Sequence, residues 1–329
     1  MQMATVSTIK IIKHTDIDFQ KWDYAMAKAC NSLVYGYSWY LNIVSPEWMG
    51  IVLNDYEAVM PITVHKKWGI SYVSQPFCTQ QLGLFASNEA TIQSHLPEVI
   101  TLLKAKFRYI SIQLNYLNKL QNTNTLKNNF ELSLAKPYAA LYQHYSHGLK
   151  DNLRKAKKQA YAVEPTTHYQ VIIDFFIQEK GAAYTHIKAE HYAILSEICR
   201  QAQAKNLLTC TLIRDQHQQI VATALFIEHA QRIIFLTVKA KNTVPFLLSS
   251  TIILQQMPRS QLFLISRALL ILIWLNSTKG LVPITSHIRA SITTIYLGQL
   301  ACLKNNYQPI GDVITTPIKP IHHVENINY

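Results

Sequence analysis

The chain has 329 residues, 49% of them hydrophobic and 10% aromatic, with 31 Lys and Arg against 19 Asp and Glu and a formal net charge of +12. A chain of this size and apolar content can bury a large core, in two domains or two pseudo-symmetric halves, which excludes intrinsic disorder, collagen and a disulfide scaffold. Its five cysteines, Cys30, Cys78, Cys199, Cys210 and Cys302, form no CxxC pair, so neither a disulfide framework nor a structural zinc site is signalled and a reducing cytosol is expected.

The N-terminus offers no apolar run of signal-peptide length, and Asp16, Asp18 and Asp23 interrupt it early. Residues 16–42 alternate at helical spacing, with Phe19, Trp22, Ala25, Met26 and Ala29 on one face, and predict a first helix ending near Gly36. Three short strands follow, Gly50–Asn54, Ala58–Val64 and Ile70–Val73, separated by turn text at Asn54-Asp55 and Lys66–Gly69. An antiparallel meander is expected. Phe77–Phe85 leaves it, and Ala90–Phe107 predicts a helix that turns Ile92, Leu96, Val99, Ile100, Leu103 and Phe107 inward before a strand at Tyr109–Leu114. Helix, antiparallel strands, helix and strand make an α+β unit.

The grammar then restarts. Helices are predicted at Ser146–Tyr161, His168–Lys180 and Ala189–Ala204, and strands at Thr209–Arg214, Ile220–Glu228 and from Arg232 to Phe235 onward. Two halves of similar order suggest a duplicated unit, although no residue-level repeat is visible.

Beyond Phe235 the composition changes. Seventeen of the 19 acids precede Leu236, leaving only Asp312 and Glu325 in the last 94 residues beside eight scattered bases. This is a loss of acids and not a basic patch, so DNA binding is not expected. Leu262–Leu275 is the most apolar stretch, but it is 14 residues long and carries Arg267. A spanning helix needs ~20 residues, so no membrane span is expected and the location is read as cytoplasmic.

Three segments carry a resemblance: WMGIVLNDYEAVMPITVHKKWGISYVSQPFCTQQLGLF, LYQHYSHGLKDNLRKAKK and LTCTLIRDQHQQIVATALFIEHAQRIIFL. Over roughly residues 16–235 the chain resembles GNAT-superfamily N-acyltransferases of the double-lobed, FemAB-like kind common in Bacteroidetes. The sharpest pieces are Gln75-Pro76, Gln80-Gln81-Leu82-Gly83 and the helix from Tyr145 to Lys158. The resemblance implies an α+β fold of two tandem GNAT-like lobes, each a mixed, mainly antiparallel sheet flanked by helices. It implies acyl transfer from acetyl-CoA or another acyl-CoA to a small-molecule or cell-envelope amine, without a metal. The lobes are expected at 1–140 and from 141, with the strand Arg232, Ile233, Ile234 and Phe235 holding the pantetheine arm of the donor.

The family continues with a phosphate-cradling turn, a helix, a strand ending in DFEGS and a motif like FYKGFGA, none of which stands after Phe235. The genetic code permits them in another frame, read from the third base of each codon and the first two of the next. Val238–Ile253 then permits GKSKEHGAFFALIDYY, Ile265–Leu269 permits DFEGS, Trp274–Pro283 permits MAQFYKGFGA, and Tyr296–Gly298 permits LPW. Three motifs in one frame and in family order point to a frameshifted reading of residues 236–329, leaving the second lobe incomplete or disordered after about residue 235.

The chemistry adds candidates. The VKAKNTVP that stands after Thr237 has no glycine and places Pro245 where amides would cradle a pyrophosphate, so it is expected to bind one poorly. Lys150, Arg154, Lys157 and Lys158 share one helix face that fits either solvent or a phosphate-bearing, acidic or tRNA partner, and Tyr145 precedes it. Gln80 and Gln81 stand in apolar text, so at least one amide is expected to be buried and to need partners, in the structure or on a substrate. Glu228 is a carboxylate beside a predicted turn, read as solvated, and no base is assigned. No nucleotide-hydrolase, zinc-protease or serine-hydrolase motif occurs. Two other readings stay open: an aminoacyltransferase of the FemAB type using aminoacyl-tRNA, and a non-catalytic remnant.

Overall fold

A computed structural model of the chain describes residues 7–120, 126–127, 130–133, 137–143, 145, 147–159, 161–180, 187–230, 232–240, 262–265, 288–289 and 292–297. The fold is α+β, with mixed, largely antiparallel sheets flanked by helices.

The chain opens with strand β1 (Ile9–Ile12), followed by helices α1 (Phe19–Lys28) and α2 (Ser38–Val44). The single helix expected over 16–42 is therefore broken. Asp18 caps α1 by accepting from the amides of Gln20 and Lys21, and the chain turns extended at Ala29. Two long-range contacts hold the break open. Asn31 Nδ2 donates to Leu84 O at 2.8 Å, and Trp22 Nε1 donates to Gly36 O at 2.8 Å.

β2 (Met49–Leu53) lies between β1 and β3 (Ala58–Ile62), and β6 (Phe85–Ala86) completes a four-stranded sheet in the order β1-β2-β3-β6. The second expected strand, Ala58–Val64, is split at Thr63, whose hydroxyl donates to Ser74 O. Its continuation, β4 (Val64–Lys67), pairs instead with β5 (Ile70–Ser74). Helix α3 (Glu89–Lys106) then crosses over to β7 (Ile110–Leu114), which runs parallel to β5. As its spacing requires, α3 buries Ile92, Leu96, Val99, Ile100 and Leu103, while Asn88 caps it by accepting from Thr91 N.

β8 (Leu126–Lys127) and β9 (Phe130–Ser133) follow, then α4 (Tyr138–Gln143), α5 (His147–Lys158), β10 (Ala162–Thr166), α6 (Tyr169–Lys180) and α7 (Ala189–Ala204). β11 (Leu208–Arg214), β12 (Ile220–His229) and β13 (Arg232–Ala240) form an antiparallel meander, against which β14 (Leu262–Ile265) pairs parallel to β13. Two short strands close the described chain, β15 (Ile288–Arg289) and β16 (Ile292–Leu297). Glu228, expected beside a turn, lies within β12, where it accepts a short hydrogen bond from the hydroxyl of Thr209.

The sheets exchange strands. The seven-stranded order is β10-β11-β12-β13-β14-β9-β15, so β9, on the N-terminal side of residue 140, sits in the sheet built by the later strands. Conversely β16, from beyond residue 235, pairs antiparallel with β7. One continuous core cluster joins Trp22, Trp48, Tyr40, Leu82 and Phe85 to Ile198, Ala202, Ile227 and Ile234. Among the described residues no helix is long and apolar enough to cross a membrane. Residues 241–261 and 266–287, where most of the expected alternative-frame motifs fall, lie outside the described residues.

Candidate functional site

Two parallel strand pairs are described, β5 with β7 and β13 with β14, each with a fork where its described hydrogen bonding stops. The two forks differ in what fills them.

At the first, β5 and β7 pair through Val73 with Ile110 and Ser74 with Ser111. The chain then loops away at Gln75 and returns at Leu82. Gln75 N still donates to Ser111 O at 3.0 Å, and its side chain takes over the next position: Gln75 Oε1 accepts from Gln113 N at 3.0 Å while Nε2 donates to Thr79 O at 3.0 Å. Leu82 N then donates to Gln113 O, and Asn115 N to Leu82 O, both at 2.8 Å. These edge groups of β7 are thus satisfied by the chain itself, leaving an extended ligand no ladder to join.

Three amides lock this closure. Asn118 Oδ1 accepts from Leu84 N at 2.7 Å, Asn118 Nδ2 donates to Leu84 O and to Asn115 Oδ1 at 3.0 Å each, and Asn31 reaches the same carbonyls. Gly83, at φ +126°, lets the backbone pass over them, since a Cβ there would stand 2.5 Å from Asn118 Oδ1.

At the second fork the described pairing is short. β13 pairs with β14 through Arg232, Ile233 and Ile234 only. Opposite β12 the register runs Phe226 to Phe235 and then Leu225 to Thr237, so Leu236 is an extra residue on β13. A bulge of this kind bends a strand and re-aims its edge. From Phe235 to Ala240 the edge turned from β12 has no strand partner among the described residues. Leu236 itself packs against core on both sides.

The loop that closes the first fork reaches towards the second. Phe77 meets His191 of α7 with tilted rings at 4.9 Å, Tyr40 donates to Cys78 O at 2.5 Å, and both Phe77 and Cys78 pack on the core that contains Cys199 and Leu225. Gln81 is fully buried; its Nε2 is 3.4 Å from Gln80 Oε1, and its own Oε1 has no hydrogen-bond partner among the described residues. A buried acceptor in that state retains its full demand for a donor. Gln80 is half-buried.

Of the donor-strand candidates, Ile233, Ile234 and Phe235 are buried and Phe235 begins the unpaired edge. The guanidinium of Arg232 lies 5.4 Å over the ring of Tyr116 and donates to its hydroxyl at 3.2 Å, tying the start of the fork to the segment after β7. Tyr145, Lys150 and Arg154 form a local cluster instead. Tyr145 packs with Tyr138 and Tyr142, and burial raises its hydroxyl pKa. Lys150 donates to Gln143 O at 2.9 Å, while Arg154 and His147 share Asp151 at 2.6 and 2.8 Å.

Thiol chemistry has little footing here. Burial pushes Cys199 and Cys210 up to about 12 and Cys78 well above its ordinary value, so none is a thiolate near neutral pH. Among the described residues no group of three His, Cys, Asp or Glu could hold a metal ion. A groove of about 580 Å³ lies between α2 and α7, lined by Trp39, Ile43, Ile194, Glu197 and Gln201. Its carboxylate is engaged: Arg200 grips Glu197 with two bonds of 2.7 Å and holds it below the usual carboxylate range.

Tyr116 and Leu236 were not candidates from sequence. A bulge leaves no mark in an apolar strand, and the Arg232–Tyr116 contact spans 116 residues of chain.

No protein-family model and no curated protein sequence matches the chain. Among solved structures, it is similar to FemX at a TM-score of 0.52 and 10% identity, over 77% of this chain and 87% of that one. It is also similar to a conserved protein of unknown function from Bacteroides thetaiotaomicron VPI-5482, at a TM-score of 0.54 and 11% identity, over 88% of this chain and all of that one. These likenesses show that the chain shares its fold with those two proteins.

Proposed function

We propose that the chain is built as an acyl-CoA-dependent N-acyltransferase whose donor site is the fork between β13 and β14. The observation that carries this reading is the contrast between the forks. Among the described residues no strand pairs with the edge of β13 past Ile234, which leaves it to an extended amide-bearing arm on this reading, whereas Gln75 and Leu82 occupy the equivalent edge of β7. A pantetheine arm is such a chain, and its pyrophosphate would lie beyond the strand, towards the segment that follows Ala240.

The acceptor is a neutral amine, and transfer is direct: the amine nitrogen bonds to the thioester carbonyl, the C–S bond breaks, and the nitrogen gives up its proton while CoA leaves as the thiol. The raised thiol pKa values of Cys78, Cys199 and Cys210 argue against a cysteine-bound acyl intermediate. Gln81 Oε1, buried and without a hydrogen-bond partner among the described residues, is read as the group that accepts from an N–H of the acceptor once the loop makes room for it.

The narrower reading, a double-lobed FemAB-like enzyme of a Bacteroidetes kind with a frameshifted tail, rests on the resemblance and the permitted motifs. β14 ends at Ile265, where the alternative frame begins to permit DFEGS. That is where a strand ending in this motif would stand. On this reading the present chain lacks the glycine-bearing phosphate turn and binds its donor weakly.

The experiment is a calorimetric titration of CoA into this chain and into one whose frame is restored after Phe235. Recovering two charge-assisted hydrogen bonds to the pyrophosphate should tighten binding at least ~100-fold. Equal affinities would remove the frameshift from the account. Retention of tRNA by both chains without CoA binding would transfer the assignment to an aminoacyl-tRNA donor.

A further inference from the structure

The hairpin of β4 and β5 pairs Val64 with Val73 down to Lys67 with Ile70, leaving Trp68-Gly69 as a two-residue turn. Both turn residues are left-handed, at φ +51° and +77°. Such turns ordinarily carry Asn-Gly, and a bulky residue at the first position is conformationally strained. The strain brings no packing in return. Trp68 is 74% exposed, the most exposed large hydrophobic residue described, with Ile70 beside it at 40%. Nothing lies within 4 Å of a Cβ built on Gly69, so the tip projects into open space.

The surroundings of the tip are cationic. Lys66 and Lys67 flank it, and Lys67 Nζ stands 4.8 Å over the Trp68 ring. Because β5 and β7 are parallel, the start of β7 lies at the same end of the sheet, and Tyr72 and Tyr109 touch there at 6.1 Å. Exposed Lys104, Lys106 and Arg108 lead into that strand start from the end of α3. No Asp or Glu occurs from Ala58 to Asn88 or from Val99 to Phe130. An indole and an isoleucine therefore protrude from a group of five cations, without an acid from either segment.

We infer that this end of the molecule docks on an anionic lipid bilayer. Trp68 and Ile70 enter the boundary between headgroups and acyl chains, and Lys66, Lys67, Lys104, Lys106 and Arg108 lie against lipid phosphates. Indole favours that boundary because its ring is apolar and its N–H polar, and lysine stems reach past apolar surface to keep their charges with the headgroups. A bilayer fits better than a protein partner, since the protruding indole and isoleucine are accompanied by cations and by no acid of either segment, which suits a continuous layer of lipid phosphates. This inference is independent of donor binding, and its readout uses no activity.

The test is cosedimentation of the full chain with vesicles of phosphatidylcholine alone and of phosphatidylcholine mixed with phosphatidylglycerol. Binding is expected to the mixed vesicles and to weaken with salt. Trp68→Asn should lower it at least about tenfold, and Lys66→Gln or Lys67→Gln about fivefold each. Asparagine accepts the left-handed turn, so Trp68→Asn should leave the melting temperature unchanged or raise it, and lost binding then reports the tip and not unfolding. Unchanged binding by Trp68→Asn would overturn the inference, because adhesion through the apolar run Leu262–Leu275 would behave in that way. So would equal binding to neutral and anionic vesicles, or a Trp68-dependent complex with a protein and none with lipid.

Discussion

Trp22→Ala is expected to lower the unfolding free energy by about 3–5 kcal/mol, the range for emptying a large aromatic site. The ring is fully buried and meets Trp48 edge-on at 4.6 Å. It also fills the space above Gly50, where a Cβ would come within 2.7 Å of it. Its Nε1 donates to Gly36 O at 2.8 Å, so the substitution strips a carbonyl of its partner at the break between α1 and α2. Typical domains hold only ~5–15 kcal/mol in total, so urea denaturation should show the midpoint falling by a large fraction. Trp22→Phe keeps most of the volume and should cost clearly less. A loss under ~1 kcal/mol for Trp22→Ala would contradict the packing described.

Gly83→Ala should cost roughly 3–5 kcal/mol, for two reasons that act together. At φ +126° the backbone lies where side chains are rarely accommodated, and the new Cβ would press on Asn118 at 2.5 Å from Oδ1 and 2.9 Å from Cγ. Asn118 has no cheap retreat, since its amide serves Leu84 N, Leu84 O and Asn115 Oδ1. A double-mutant cycle reads the coupling: Gly83→Ala combined with Asn118→Ala should cost less than the sum of the two alone. Additive losses would mean that the amide cluster does not constrain the glycine, and with it the closure of the first fork.

The parts of the fold that follow periodicity were legible. Ile92, Leu96, Val99, Ile100 and Leu103 recur at helical spacing and are buried in α3, and β11, β12 and β13 fall where alternating apolar text placed them. The misreadings share one cause, which is contact between residues distant in sequence. The stretch 16–42 has the pattern of a single helix, but the side chain of Asn31 is drawn to Leu84 O and to Asn115, 84 residues away, and the helix ends before it. The placement of β9 among later strands and of β16 beside β7 is likewise invisible to local pattern. At the site, burial of an amide in Gln80-Gln81 followed from the apolar text, and Gln81 is buried. The substitution of the Gln75 side chain for a backbone edge could not be read, because it depends on where Gln113 comes to lie. Lys150 and Arg154 do share a helix, yet neighbouring Gln143 and Asp151 engage both.

The account rests on which fork receives the donor, and amide hydrogen exchange with and without saturating CoA tests that most directly. The forks predict new protection in β13 from Phe235 to Ala240, where a bound arm would supply hydrogen-bond partners that no described strand supplies on that edge, and no change from Gln75 to Asn115. Protection confined to the first fork, with β13 unaffected by CoA, would contradict the assignment.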